Sequence, residues 1–203
     1  MGPATTAWPQ HRVQLLLLRH GIAEERQGGE DDPRRALTAQ GRRRTLAVCE
    51  RLRCLGWQAD ACRSSPFVRA RQTAELAQAS GLVPHVRLSP LLAPEGAVLP
   101  ALANWLAALA EESGAAGGSR TERRQPDTAA PHSGTLRRPP RLLLVGHEPD
   151  LSSLACRLLG CPDERLALRK AGLAVLELPP QQDLDLQGRG RLLLLLTPRL
   201  LLG

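Results

Sequence analysis

Short apolar runs alternate along this chain with longer stretches that repeat apolar residues at helical spacing. Continuous runs rich in leucine and valine are typical of strands buried in a parallel sheet. The predicted strands cover residues 13–18, 59–63, 85–88, 141–145, 174–178 and 192–196. The predicted helices cover residues 38–54, 67–79, 96–112 and 150–159. This alternation predicts an α/β fold, a three-layer α/β/α sandwich with a mainly parallel central sheet.

Two of the predicted helices have recognisable ends. The hydroxyl of Thr38 can cap the first helix by accepting a hydrogen bond from an N–H group of its first turn. Gly81 ends the second helix, because glycine readily adopts the left-handed conformation that closes many helices. The arginines of the first helix fall mostly opposite its apolar residues, and we expect them to be solvated. They are Arg42, Arg43, Arg44, Arg51 and Arg53.

A chain of 203 residues is long enough for one domain with an insertion. We expect a flexible tail at residues 1–12 and a single domain over residues 13–203. Residues 113–140 interrupt that domain with paired glycines, prolines, hydroxyl residues and mixed charge. A segment of this composition buries too little apolar surface to fold, so we predict a disordered insertion.

The chain is basic and poor in aromatic residues. Its net charge is +7, and arginine supplies nearly all of the positive charge, since Lys170 is the only lysine. Such a balance suits nucleic acid, anionic surfaces or phosphate-bearing substrates. Aromatic residues make up only 2% of the chain, which excludes modules that stack bases on several aromatic rings. Because no nucleic-acid recognition motif is present either, we expect no nucleic-acid partner.

The cysteines are odd in number and show no zinc-binding spacing, so we interpret them as ordinary buried thiols in a reducing compartment. They are Cys49, Cys54, Cys62, Cys156 and Cys161. The apolar runs are far shorter than the roughly 20 residues that a membrane-spanning helix needs. The N-terminal residues lack the apolar segment of a secretory signal. These features predict a cytoplasmic protein with no membrane partner.

Histidine and arginine side chains follow the predicted strands at their carboxyl ends, where ligands bind in α/β sheets. Arg19 and His20 end the first strand, and His147 follows the strand at 141–145. Each histidine adjoins a glycine, which lets the backbone approach a ligand closely. Arg69 and Arg71 lie near the start of the second helix, where they oppose the helix dipole unless an anion is bound.

The remaining histidines lie in the tail, in a short strand and in the insertion. They are His11, His85 and His132. A site with two histidines raises zinc as an alternative, with Glu24 or Glu148 as a third protein ligand. The neighbouring arginines would repel a dication, so we expect no metal and no cofactor.

Two histidines beside arginines suit phosphoryl transfer. The planar guanidinium of arginine matches phosphoryl oxygens, and a neutral histidine is a good nucleophile near neutral pH. One histidine would attack phosphorus, while the arginines and the second histidine would hold the equatorial oxygens. This chemistry proceeds through a covalent phosphohistidine and needs no metal.

Four short motifs follow one another along the chain. They are RHG at 19–21, LTAQG at 37–41, SPFVRARQTAE at 65–75 and VGHEP at 145–149. They resemble the signature, the LTxxG helix start, the SPxxRAxQTAE segment and the second-histidine motif of the histidine phosphatase superfamily. This superfamily is also called phosphoglycerate mutase-like, and the resemblance implies that fold. The match to the SixA-type phosphohistidine phosphatases is closest, because it extends to GHEPDL at 146–151 and KAG at 170–172.

The resemblance implies a role for each matching residue. His20 would be the nucleophile that becomes phosphorylated. The residues that would bind the phosphoryl group are Arg19, Gly21, Arg69 and His147. Arg71 falls on a variable position of its motif, so we expect it to be solvated. The SixA-type branch implies that the substrate is a phosphorylated protein, such as a histidine phosphotransfer domain of a signalling relay.

Many members of the superfamily carry an acidic proton donor after the third strand, in an LxE setting. Here residues 91–96 read LLAPEG and the usual place is apolar, which leaves Glu95 and Glu148 as candidate donors. A weak donor suits a phosphohistidine substrate, because imidazole can leave already protonated whereas an alkoxide needs a general acid.

Two alternatives stand beside a phosphohistidine phosphatase. The same chemistry could hydrolyse small phosphate esters. A chain without an effective proton donor could also be a phosphate- or phosphoprotein-binding module with little turnover. His20 argues against the binding module, because binding alone needs no nucleophile.

Overall fold

The computed structural model describes residues 12–25, 32–115, 138–163, 165–180 and 185–203. The strands in these ranges are β1 (Val13–Arg19), β2 (Ala61–Ser64), β3 (Arg87–Leu88), β4 (Arg141–Gly146), β5 (Leu173–Leu178) and β6 (Arg191–Leu196). The helices are α1 (Ala39–Cys54), α2 (Val68–Ala79), α3 (Val98–Ala115), α4 (Asp150–Leu159) and α5 (Pro198–Leu202), with a 3-10 turn at Pro90–Leu92.

The strands form one sheet in the order β3-β2-β4-β1-β5-β6. Strands β1 to β4 are parallel to one another. Only β5 runs against both of its neighbours, β1 and β6. The mainly parallel sheet predicted from the continuous apolar runs is therefore confirmed.

Helices cover both faces of the sheet. Because successive strand residues point to opposite faces, Leu15 and Leu17 of β1 pack in one core with α3 and α4. Leu16 and Leu18 pack in a second core with α1, α2 and α5. This double covering explains why β1 and β4 carry apolar residues on both faces, and it confirms the three-layer sandwich.

Helix α1 begins as the sequence predicts. The Thr38 hydroxyl accepts a hydrogen bond from the Gly41 N–H at 2.9 Å. A β-carbon at Gly41 would overlap the carbonyl of Ile22, so only glycine lets this helix start lie against the loop after β1. The five arginines of α1 are exposed, as expected. Leu55 lies beyond the helix end and is 48% exposed.

The predicted tail and insertion lie largely outside the described residues. Arg12 is the first described residue, and α3 extends into the predicted insertion as far as Ala115. At the other end of the insertion, the Arg138 guanidinium donates to both carboxylate oxygens of Asp60, at 2.6 and 2.9 Å. The segments outside the described residues here are 1–11 and 116–137.

Only three of the five cysteines are buried, which corrects the expectation from the sequence that all are buried thiols. Cys49, Cys62 and Cys156 are buried, whereas Cys54 is exposed and Cys161 is half-buried. Burial raises the pKa of the Cys49 and Cys62 thiols to about 12. No helix in the described part of the chain is both long and apolar enough to span a bilayer.

Candidate active site

The two strand-end histidines meet at one edge of the sheet. Strands β1 and β2 lie on either side of β4 and run parallel to it. Just past the strand ends, the His20 N–H donates to the Gly146 carbonyl at 3.1 Å, and the Ser65 N–H donates to the Val145 carbonyl at 2.9 Å. His20 and Ser65 therefore flank His147. The rings of the two histidines are 5.2 Å apart, centroid to centroid.

His20 presents an unprotonated ring nitrogen to the site. Its Nδ1 lies 2.8 Å from the carbonyl oxygen of Gly21, and a carbonyl can only accept. The ring proton therefore lies on Nδ1, and the lone pair lies on Nε2. The Arg69 Nε–H donates to this Nε2 at 3.3 Å. His20 is only 7% exposed, so its orientation is fixed within the protein.

Burial keeps His20 neutral. Desolvation is the largest cause that lowers its pKa, to about 3, and the hydrogen bond to Gly21 opposes it. Electrostatic interactions with His147, Arg69 and Arg19 lower the pKa further. At neutral pH the imidazole is therefore available as a nucleophile.

We expect the neutral state of His20 to make the protein less stable in mild acid. His20 titrates near pH 6.5 when unfolded and near pH 3 when folded, so between these values the unfolded chain binds more protons. The contribution of neutral His20 to the free energy of unfolding is complete above about pH 6.5 and is lost as the pH falls towards 3. Between pH 7.5 and 5 the loss is about 2 kcal/mol.

Urea unfolding of the wild type and of His20→Gln at both pH values measures this loss. When the pH is lowered from 7.5 to 5, the free energy of unfolding should decrease more in the wild type than in His20→Gln. The two decreases should differ by about 2 kcal/mol. An equal pH dependence in the two proteins would contradict a neutral, buried His20.

Arg69 is buried in the first turn of α2, with 2% of its surface exposed. Besides His20, its guanidinium bonds the Asp32 carbonyl at 3.3 Å and lies over the ring of Phe67, 5.1 Å from the ring centroid. Arg71 instead forms an exposed ion pair with Glu75 at 3.5 Å. Arg69 is therefore buried beside His20, whereas Arg71 is exposed at the surface.

Arg19 approaches the site from the end of β1. Its guanidinium donates to the Leu168 carbonyl at 2.7 Å. Burial lowers the pKa of Arg19, the Glu148 carboxylate opposes this shift, and the nearby Arg169 adds to it. Arg19 and Arg69 thus bring two guanidinium groups close to His20.

His147 is 2% exposed, and its Nε2 lies 2.8 Å from the Ser65 hydroxyl. The same hydroxyl oxygen accepts a hydrogen bond from the Phe67 N–H at 3.2 Å. The edge of the Phe67 ring meets the His147 ring at 5.3 Å between centroids. Ser65 and Phe67 were not predicted as site residues, although both lie within the SPFVRARQTAE motif.

Gly21 is closely packed in this structure. Its N–H donates to the Thr73 hydroxyl at 3.1 Å, and its carbonyl is bonded to His20. A β-carbon at Gly21 would overlap the hydroxyl oxygen of the buried Thr45. Thr73 was also missed from the sequence. It lies one helical turn after Arg69, on the same face of α2, and that spacing could have indicated it.

The two candidate proton donors lie in different surroundings. The Glu148 carboxylate contacts the Ser152 hydroxyl at 2.5 Å and accepts from the Leu168 N–H at 3.0 Å. Glu95 is exposed and has a backbone φ of 64°. Its backbone N–H donates to the carboxylate of Asp150. The pKa of Asp150 is raised, mainly by burial. No hydrogen bond among the described residues joins either glutamate side chain to the histidine pair. Nor does any group of three or more His, Cys, Asp or Glu side chains in the described ranges form a metal site.

Known proteins resemble this chain in sequence. Residues 15–92 match the model of a family described as histidine phosphatase superfamily, branch 1. An uncharacterized protein of a Picosynechococcus species is 37% identical over 162 residues, which cover 79% of this chain and 82% of that protein.

Solved structures share the fold. One is the protein histidine phosphatase SixA in complex with tungstate, with a TM-score of 0.64 and 22% identity, covering 92% of this chain and 97% of SixA. Another is a mycobacterial glucosyl-3-phosphoglycerate phosphatase, with a TM-score of 0.55 and 22% identity, covering 89% of this chain and 97% of that one.

Proposed function

The chain belongs to the histidine phosphatase superfamily, and we propose that it removes the phosphoryl group from phosphohistidine on a signalling protein, such as a histidine phosphotransfer domain. The reaction passes through a covalent phosphohistidine on His20. One observation carries the mechanism: a buried, neutral His20 whose unprotonated Nε2 accepts from Arg69, with the His147 ring beside it. The same proposal places the protein in the cytoplasm.

The reaction has two steps. In the first, the Nε2 lone pair of His20 attacks phosphorus, a nitrogen–phosphorus bond forms, and the bond to the leaving group breaks on the opposite side. In the second, water attacks phosphorus, inorganic phosphate leaves, and the electron pair returns to His20. Arg19, Arg69 and His147 donate hydrogen bonds to the phosphoryl oxygens in both steps and stabilise the charge that develops there.

The surroundings of the two glutamates support a phosphohistidine substrate. An alkoxide leaving group needs a proton from a general acid, and neither Glu95 nor Glu148 is bonded to the histidine pair. Imidazole has a pKa near neutrality and can leave already protonated. A site of this kind is therefore better suited to phosphohistidine than to alkyl phosphates.

Phosphate release from three substrates tests the proposed function. They are a histidine phosphotransfer domain carrying phosphohistidine, an aryl phosphate and an alkyl phosphate. We expect kcat/KM to fall in that order, because the need for a proton from the enzyme rises in that order. Highest activity on the alkyl phosphate would instead establish the small-ester phosphatase, and absence of turnover on all three would favour a binding module.

The small-ester phosphatase is the second candidate. It is favoured by the shared fold of the mycobacterial glucosyl-3-phosphoglycerate phosphatase, which shows that this architecture also serves small substrates. The substrate comparison above separates the two candidates, because both use His20 and differ only in the leaving group.

Phe67 is expected to favour flat leaving groups. Its half-buried ring borders both Arg69 and His147, so a planar leaving group on a phosphoryl group bound by these two residues would lie near an aromatic side chain. Phe67→Leu keeps an apolar side chain but removes ring stacking, and should lower kcat/KM for an aryl phosphate by about three- to tenfold. The value for an alkyl phosphate should stay within about twofold. Equal losses on both substrates would contradict this role.

A further inference from the structure

Leu168 is held from both sides of its peptide backbone by groups of the site. Its carbonyl accepts the Arg19 guanidinium at 2.7 Å, and its N–H donates to the Glu148 carboxylate at 3.0 Å. Glu148 directly follows His147, whereas Leu168 belongs to the loop between α4 and β5. Leu168 therefore bridges the residue after the second histidine and the arginine before the first.

The same loop is fixed to β1 at its other end. The Ala171 N–H lies 3.1 Å from the carbonyls of both Arg19 and His20, and the Arg19 N–H donates to the Gly172 carbonyl at 3.1 Å. Ala171 has a φ of 57°, a left-handed conformation that a non-glycine residue keeps only where its surroundings impose it. Segment 168–172 is thus hydrogen-bonded to Arg19 and His20.

The Arg19 guanidinium depends on this loop for its position. Its Nε is buried and has no hydrogen-bond partner within the described part of the chain. The Leu168 carbonyl is its anchor, and the Glu148 carboxylate supplies a nearby negative charge. If the loop moved, the guanidinium would lose the Leu168 carbonyl and could turn away from a bound phosphoryl group.

Glu148 is poorly placed to give a proton to a leaving group. Its Oε1 receives the Leu168 N–H and its Oε2 contacts the Ser152 hydroxyl. Both carboxylate oxygens are therefore engaged away from the histidine pair, whereas a general acid must direct its proton at the substrate. The position of Glu148 next to His147 thus calls for another role.

We propose that Glu148 is a positioning residue, which holds Leu168 so that the Leu168 carbonyl fixes the Arg19 guanidinium towards the phosphoryl group. This role rests on the proposed function, since it gives Arg19 a phosphoryl group to bind. Glu148 acts through Arg19 and touches no reacting atom.

A double-mutant cycle tests this coupling through the binding of inorganic phosphate, measured by titration calorimetry. Glu148→Ala should weaken phosphate binding by about tenfold. In an Arg19→Ala background, the same change should weaken binding by less than about twofold, because the group it positions is gone. An equal loss in both backgrounds would overturn the proposal.

Two further variants separate positioning from a merely structural role. Glu148→Gln keeps an oxygen that can accept the Leu168 N–H, so it should restore phosphate affinity to within about threefold of the wild type. Ser152→Ala removes the other contact of the carboxylate and leaves the Leu168 bond, so affinity should change by less than about twofold. If Glu148→Ala does not fold, the Gln and Ser152 variants still decide, and a Gln variant as weak as Arg19→Ala would refute the role.

Turnover of aryl phosphates whose leaving groups differ in acidity tests whether Glu148 is a proton donor. Loss of positioning should lower kcat/KM in Glu148→Ala by the same factor for every leaving group. A loss that grows with the pKa of the leaving group would identify Glu148 as the general acid and overturn the proposal. The phosphate titrations need no turnover, so a wild type that binds phosphate without releasing it from substrates would refute the proposed function and leave the positioning test intact.

Discussion

His20→Ala should lower phosphate release by at least about 1,000-fold, the largest effect that we expect from a single substitution. The reason is that the buried, unprotonated Nε2 of His20 is the nitrogen that lies at the Arg69 guanidinium. Phosphate release from the phosphohistidine-bearing domain and from an aryl phosphate measures the loss. His85→Ala is the matched control, because His85 is exposed and lies outside the site, and it should retain full activity.

Residual activity of His20→Ala within about tenfold of the wild type would mean that water attacks the substrate directly. In that case the arginines and His147 would still bind phosphate, but the covalent route through His20 would be wrong. Unfolding of the variant must be measured in parallel, since His20 is buried against Gly21 and Arg69.

Arg69→Ala should lower kcat/KM by about 100- to 1,000-fold, the second largest effect. Arg69 is the guanidinium nearest to the nucleophile, and its burial makes its charge effective on the phosphoryl oxygens. Arg71→Ala removes the same charge two residues along the same helix and should leave kcat/KM within about twofold, because Arg71 is paired with Glu75 at the surface.

Arg69→Lys should recover little of this loss. The ammonium group of lysine is a single point charge, whereas the guanidinium of Arg69 bonds His20 and Asp32 in fixed directions at the same time. Comparable losses for the Arg69 and Arg71 variants would show that net charge, rather than the placed guanidinium, controls the rate.

The layers of the fold could be predicted because its buried strands are apolar on both faces. Strands β1 and β4 lie between two helical layers, so their sequences are continuous apolar runs that stand out. Helix α5 was not predicted from the sequence. It has only five residues, which is too short a segment to show a helical period.

The histidine pair could also be predicted, since parallel strands bring their carboxyl ends to one edge of the sheet. The choice between Arg69 and Arg71 needed more than the helix-dipole argument, which treats both alike. Residues two apart on a helix do not face the same way, and that geometry separates the buried arginine from the surface one.

The contacts that position the site could not be predicted, because they depend on the tertiary arrangement. The carbonyl of Leu168 and the N–H of Ala171 are backbone groups, whose partners no side-chain pattern reveals. The role of Glu148 depends on a loop 20 residues away in sequence. Only the folded chain brings that loop against Arg19.

Isolation of the phosphorylated enzyme tests the central claim most directly. Wild-type protein mixed with a phosphohistidine-bearing domain or an aryl phosphate, quenched in alkali to preserve phosphohistidine, can be digested and analysed by mass spectrometry. The account predicts one added phosphoryl group on the peptide that contains His20, and none in His20→Ala. Phosphate release by the wild type with no phosphorylated peptide, or with the phosphoryl group on another residue, would contradict it.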